Sequence, residues 1–296
     1  MTDIVWPQVR GLLLTMRPRQ WIKNGFIFLP LIFDFKMFQS RPVLNSAIGF
    51  LVLCLLSSVV YIVNDSVDAP QDRLHPRKRN RPIAHGDVSV SLAVVWAIVM
   101  GILGLTVSFA LHTTFGLVAA GYLVLQLLYS FVLKQIVLLD VFTLASGFVL
   151  RVAAGIPLVA AERFSPWLFL CTFLISLLIG FGKRRGEIVE LGGSTATRAI
   201  LREYNLPLLD SIISIVTGAL VVAYSFYTFT APQLPVDHSM LLTVPAAMYG
   251  LFRYLYLVHV RGEGGAPDEL ALKDRGLLAA TAVFMATAVV VLYVIR

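Results

Sequence analysis

The chain of 296 residues is 58% hydrophobic and 14% charged, with a mean hydropathy of +0.82 and a net charge of +7. Soluble domains are roughly 45–50% apolar and about 25% charged, so this composition excludes a soluble enzyme, a disordered chain, a nucleic-acid-binding domain and a disulfide-stapled secreted module. It fits an all-α integral membrane protein with many spans.

A helix crossing the hydrocarbon core needs about 20 mostly apolar residues. Nine segments qualify: 21–37, 43–64, 88–110, 114–133, 137–158, 165–182, 208–231, 240–260 and 276–295. The first is the weakest, because Pro30 and Asp34 interrupt it. The stretch 4–16 reads as an interfacial helix. No cleavable signal peptide is expected, since Arg17, Arg19 and Lys23 stand where its apolar region would end. Cys54 and Cys171 lie inside apolar runs and read as packing residues, not as a disulfide or metal pair.

With the N-terminus in the cytoplasm, 18 Lys and Arg residues fall on cytoplasmic connections and 4 on the opposite side. This bias sets the orientation and requires an odd number of spans. The expected architecture is one membrane domain over residues 1–296. Its long loops, 65–87, 183–207 and 261–275, form a polar cap on the cytoplasmic face. The protein is expected in a bacterial-type inner membrane with its active face toward the cytoplasm.

The most informative stretch runs Asn64-Asp65-Ser66-Val67-Asp68-Ala69-Pro70-Gln71-Asp72. Asn64, Asp68 and Asp72 share one helix face at i, i+4 and i+8. Three hard oxygen donors at a membrane edge suit Mg²⁺, with Mn²⁺ as an alternative ion, and Mg²⁺ favours one or two carboxylates plus phosphate oxygens. Pro70 threatens the last helical turn. The competing reading is a solvated helix end, but carboxylates directly beneath an apolar span are costly without a role.

Five cations follow within nine residues, from Arg73 to Arg81. They read either as anchors for anionic lipid or as grips for phosphate. Lys78 and Arg81 are the chosen ligands and Arg77 and Arg79 the anchors, while His75 and His85 lack metal-ligand spacing. Acids and bases this close make sense if the ligand is a polyanion bound partly through a metal.

These residues resemble the UbiA superfamily of intramembrane prenyltransferases, whose first motif is N-D-x-x-D-x-x-x-D. A narrower resemblance is carried by four segments. They are Arg17-Pro18-Arg19-Gln20-Trp21-Ile22-Lys23-Asn24, the run from Asp72 to Gly86, Lys183-Arg184-x-x-Glu187, and Ala271-Leu272-Lys273-Asp274-Arg275. Together they are similar to the decaprenyl-phosphate phosphoribosyltransferase branch. The resemblance implies a nine-helix bundle. It also implies transfer of ribose 5-phosphate from phosphoribosyl pyrophosphate to a polyprenyl phosphate, toward an arabinose donor for the cell envelope. Where prenyltransferases of the superfamily carry a second acidic motif, D-x-x-x-D, this chain reads Lys183-Arg184-Arg185-Gly186-Glu187-Ile188-Val189-Glu190. A prenyl diphosphate held by two metal clusters wants carboxylates there, whereas a donor with a further phosphate wants cations.

The resemblance then implies a catalytic set of Asp65, Asp68 and Asp72, with Asn64, Asp68 and Asp72 on the metal. The implied donor set is Lys23, Asn64, Lys78, Arg81, Lys183, Arg184, Glu187, Lys273 and Asp274. Arg151, Tyr129 and Lys134 are assigned to the acceptor. Several of these keep a second reading. Lys23 and Arg185 also read as membrane anchors. Arg151, deep in an apolar run, also reads as a structural partner of Asp140 or Asp210. The expected partners are the two substrates and membrane lipids, without nucleic acid, and a homo-oligomer remains open. Two other functions compete. A Mg-dependent prenyltransferase acting on an aromatic or other small acceptor would keep the first motif but want acids in the second. A transporter would spread its charges at mid-depth, whereas here they crowd one membrane edge.

Overall fold

A computed structural model describes residues 2–74, 78–161, 165–191, 199–232 and 234–295. His75, Pro76, Arg77, Arg163, Arg198 and Arg296 lie outside the described residues. Among those described, the chain is helical without strands. The helices are α1 (Thr2–Thr15), α2 (Leu29–Phe33), α3 (Ser40–Asp72), α4 (Pro82–His85), α5 (Val90–Leu111), α6 (Thr113–Phe131), α7 (Leu139–Val159), α8 (Pro166–Leu191), α9 (Leu206–Thr230), α10 (Val244–His259), α11 (Pro267–Lys273) and α12 (Arg275–Val290). Among the described residues, eight helices are long and apolar enough to cross a membrane, with α10 counted from Ser239 and α12 through Val294. The protein is an integral membrane protein.

The first of the nine expected helices does not form as one. Pro18–Phe28 is a 3-10 segment, and α2 adds five residues. Pro30 has no N–H to continue an α-helix from the preceding turn, so the chain changes helix type there. This segment runs antiparallel along α3. Trp21 Nε1 donates to Ser58 Oγ at 3.1 Å and Asn24 Nδ2 to Ser57 Oγ at 3.1 Å. Further on, Ile27 packs against Gly49. Because 3-10 geometry rises faster per residue, Pro18–Phe33 extends roughly 30 Å, about the thickness of the hydrocarbon core. At its far end Lys36 Nζ donates to the carbonyls of Val159 and Ala160, both at 2.9 Å, closing the C-terminus of α7.

The second correction concerns the loops. Residues 183–191, expected at the start of a loop, continue α8. Lys, Arg and Glu are good helix formers, and Arg184 pairs with Glu187 one turn on at 2.7 Å. The expected loop 261–275 contains a 3-10 turn, Glu263–Gly265, and α11.

The chain groups into two compact units, 1–134 with 146–162, and 135–145 with 163–296. In the first unit, Ile27, Leu53, Leu56, Phe115 and Leu158 form one buried cluster, and Met16, Val59, Ile62, Ile83 and Ala97 another. In the second, Val141, Leu178, Phe181, Leu209, Ile213 and Leu257 form the core. Close backbone approach there depends on glycine. A Cβ on Gly186 of α8 would run into the backbone of Gly264 and Gly265, and one on Gly264 would meet the Gly182 carbonyl.

Candidate active site

Helix α3 carries the acidic motif at its C-terminal end. It continues through Pro70 to Asp72, and Arg73 N still donates to Ala69 O at 3.2 Å. The expected helix therefore continues, but of the expected face only Asn64 and Asp68 are in contact, while Asp72 shares Arg81 with Asp65. Asn64 Nδ2 donates to Asp68 Oδ2 at 3.1 Å across one turn.

Basic side chains from three other stretches of the chain, at residues 17, 78–81 and 134, close on these oxygens. Lys134, in the 3-10 turn after α6, reaches Asp68 Oδ1 at 2.7 Å and Asn64 Oδ1 at 3.3 Å. Arg81, which caps α4, places Nη1 3.0 Å from Asp65 Oδ1 and 2.6 Å from Asp72 Oδ2. Lys78 Nζ lies 3.9 Å from the other Asp72 oxygen. Arg17 reaches Asp65 Oδ1 at 2.5 Å and lies 5.1 Å over the Tyr61 ring. The backbone at Arg17 is left-handed, with φ of +53°, an uncommon state for this residue type. That turn sends the chain from α1 into the 3-10 segment. The four motif residues thus fall into two clasps, Asn64 with Asp68 under Lys134, and Asp65 with Asp72 under Arg81.

The donor atoms are amide and carboxylate oxygens, the chemistry of a hard divalent ion. Each carboxylate already holds a positive group, and Asp68 is the most open of the three, at 26% exposed. The residues fit such an ion in kind and in charge. Among the described residues, no three His, Cys, Asp or Glu side chains already converge on one point.

Deeper in the same unit, Arg151 is buried and meets no carboxylate among the described residues. Its Nε donates to Asn24 Oδ1 at 2.8 Å, Nη1 to Gly147 O at 2.9 Å and Nη2 to the Tyr122 hydroxyl at 2.8 Å. The Tyr122 and Phe148 rings lie 4.8 and 5.1 Å from its guanidinium carbon. Its charge is met by neutral dipoles and π faces. Neither carboxylate named from sequence is its partner, because Asp140 pairs with Arg184 and Asp210 with Arg185. Lys23 and Tyr129 are half-buried in this unit.

The second unit places the remaining candidates. Arg184 is buried, with Nε on Asp140 at 2.7 Å and Nη1 on Glu187 at 2.7 Å. Tyr204 OH donates to Asp140 Oδ1 at 2.7 Å and accepts from Leu138 N at 2.7 Å. Burial, then the bond to Asp140, holds the Tyr204 phenol well above its ordinary range. Lys183, one residue before Arg184, is exposed. Asp274 takes both Arg253 Nε and Nη2, at 3.0 and 2.8 Å, and caps α12 by accepting from Leu277 N at 2.8 Å. The Arg253 guanidinium, then the Leu277 N–H, lowers its carboxyl to about 2. Lys273 pairs with Glu269 at 2.7 Å. A cavity of about 460 Å³ beside them is lined by Glu190, Arg261, Glu263, Glu269, Lys273 and Asp274.

Sequence reasoning left three residues out of the site. Arg17 lay in a quoted motif, but nothing in the chain says it meets Asp65, 48 positions away. Asp140 and Tyr204 carry no motif, and only the fold joins them to Arg184.

The description UbiA prenyltransferase family matches residues 36–270. The chain belongs to this family. Among its relatives, a decaprenyl-phosphate phosphoribosyltransferase from Corynebacterium glutamicum is 33% identical over 90% of this chain and 82% of its own. One of the same name from Mycobacterium tuberculosis is 32% identical over 94% of this chain and 93% of its own. In fold, the chain is similar to a UbiA homolog from Archaeoglobus fulgidus solved bound to GPP and Mg²⁺. The TM-score is 0.74 at 18% identity, covering 96% of this chain and 100% of the other.

Proposed function

We propose that this protein transfers ribose 5-phosphate from phosphoribosyl pyrophosphate to a polyprenyl phosphate, releasing pyrophosphate. The observation that carries this reading is the mixed character of the α3 terminus, where three carboxylates are interleaved with Arg17, Lys78, Arg81 and Lys134. Such a cluster suits a polyanion held both through a metal and directly. The basic Lys183-Arg184-Arg185 segment suits a donor with a phosphate beyond its diphosphate, and the names of the two bacterial relatives point the same way.

Asn64, Asp68 and Asp72 would hold a divalent ion, Mg²⁺ or Mn²⁺, which when bound supplies charge neutralisation to the departing diphosphate. Lys78, Arg81 and Lys23 are assigned to donor phosphate oxygens, and Lys183 to the 5-phosphate. Arg184 and Glu187 hold the turn that carries Lys183, and Lys273 and Asp274 are assigned to the donor by their motif alone. Arg151, Tyr129 and Lys134 are assigned to the acceptor. The C1–O bond to pyrophosphate breaks as an acceptor phosphate oxygen attacks the opposite face, inverting C1. The acceptor is already an anion, so no strong general base is required. Catalysis rests on positioning and charge stabilisation.

The 3-10 segment Pro18–Phe28 with α2 is proposed as a ninth crossing, which places the N-terminus and both motifs at the cytoplasmic face under the Lys and Arg bias. The product would serve reactions that build an arabinose donor.

The test uses purified full-length protein in detergent with Mg²⁺. Phosphoribosyl pyrophosphate with polyprenyl phosphate is expected to give a lipid-linked phosphoribose and pyrophosphate. Turnover of geranyl diphosphate with a phenolic acceptor, and none with the first pair, would overturn the reading in favour of prenyl transfer.

A further inference from the structure

The two clasps at the end of α3 present a linked problem in electrostatics. Asp65 and Asp72 side chains are 3% and 4% exposed, and Arg81 bridges both. Lys134 and Asp68 are 20% and 26% exposed and in contact at 2.7 Å. A divalent ion arriving alone competes with Lys134 for Asp68 and with Arg81 for Asp72, and sets free two cations whose side chains are only 20% and 25% exposed. A diphosphate that draws those cations away leaves Asp68 without a cation, Asp65 to Arg17 alone and Asp72 to Lys78 at 3.9 Å. Either outcome is costly, because a partly buried charge without a partner has lost its hydration.

We propose that ion and diphosphate bind by partner exchange: the ion takes the carboxylates from Lys134 and Arg81, and the released cations take phosphate oxygens. In that arrangement every charge keeps a partner before and after binding. The two ligands are then coupled, each strengthening the other by the same factor. Lys134 becomes a counter-ion of the acidic motif that changes partner, as well as a group on the acceptor side. The inference rests on the reading that this site takes a divalent ion with a diphosphate, but not on the identity of the sugar. The geometry suits such an exchange. Lys134 and Arg81 come from short 3-10 and α-helical turns outside α3, so exchanging their partners asks for no change in the helix that carries the acids.

The test reads binding, not turnover. Mn²⁺ affinity of the detergent-solubilised full chain is measured by electron paramagnetic resonance without other ligands. Pyrophosphate affinity is measured separately by equilibrium dialysis at saturating Mg²⁺. Lys134→Met is expected to bind Mn²⁺ alone about fivefold more tightly and pyrophosphate about fivefold more weakly, the low end of common coupling factors. Lys134→Arg, which keeps the charge, is expected to hold both values within about twofold of the parent. Arg79→Gln removes a charge from the 3-10 turn just before Arg81 and has the same expectation. The proposal fails if Lys134→Met leaves Mn²⁺ affinity unchanged or weaker. It also fails if Arg79→Gln reproduces the effect, since overall charge would then be the cause. Pyrophosphate has no sugar, so inactivity with phosphoribosyl pyrophosphate would sink the functional reading and leave this result standing.

Discussion

The Asp140–Arg184 pair offers a sharp test of how the second motif is built. Asp140 is fully buried and the Arg184 side chain is 4% exposed. Asp140→Asn keeps the shape and an oxygen for Tyr204, but turns an N–H₂ toward Arg184 Nε, donor against donor. Breaking one side of a buried pair costs about 3–5 kcal/mol. Glu187 still accepts from Arg184 Nη1 at 2.7 Å, so the lower end, about 3 kcal/mol, is expected. At roughly 2–4 °C per kcal/mol, Tm in detergent should fall by about 6–12 °C. Arg184→Met alone should fall comparably, because Asp140 is then left buried with Tyr204 only. Removing both charges, as Asp140→Leu with Arg184→Met, should recover most of the loss, since replacing a whole buried pair by apolar groups is often neutral. With Asp140→Leu as the matching single variant, the parent, Asp140→Leu, Arg184→Met and the double variant form a double-mutant cycle with a large coupling energy. A Tm unchanged in Asp140→Asn, or a double variant as unstable as the two losses added, would refute the assignment of Arg184 as an internal strut.

Two further outcomes follow from the same unit. Gly186→Ala forces a Cβ into the backbone of Gly264 and Gly265, and overpacking of this kind costs about 1–3 kcal/mol. A Tm equal to that of the parent would show that the turn yields without cost. Asp274 has a folded-state carboxyl lowered to about 2 by Arg253 and then by the Leu277 N–H. Its stabilisation is present above the unfolded value of about 4 and lost as pH falls through the folded one. Asp274→Asn should therefore be less stable than the parent at pH 7, with the gap closing between about pH 4 and pH 2. A gap independent of pH would contradict the ion pair.

Hydropathy and motif spacing carried much of the outcome. The all-helical membrane character, eight of the nine spans and the shared face of Asn64 and Asp68 follow from local periodicity, which needs no knowledge of the fold. Pro30 marks the first span as weak in sequence, but window hydropathy does not tell a 3-10 segment from an α-helix, so the change of helix type is not legible there. Dense charge in the motif after the sixth span reads as loop, although Lys, Arg and Glu propagate a helix well and α8 runs through it. Partnerships over long separations were out of reach altogether. Arg151 read equally as a partner of Asp140 or of Asp210, and it pairs with neither.

Sequence by itself determined which residue types stand at the membrane edge and on which helical face, because both depend on spacing along one chain. Tertiary structure decided which cation meets which acid. Arg17 and Lys134 reach α3 from opposite directions along the chain, and only packing selects Asp65 for one and Asp68 for the other. In a poorly solvated setting that choice sets whether a charge is a strut, a counter-ion or a ligand, since each buried charge has room for very few partners.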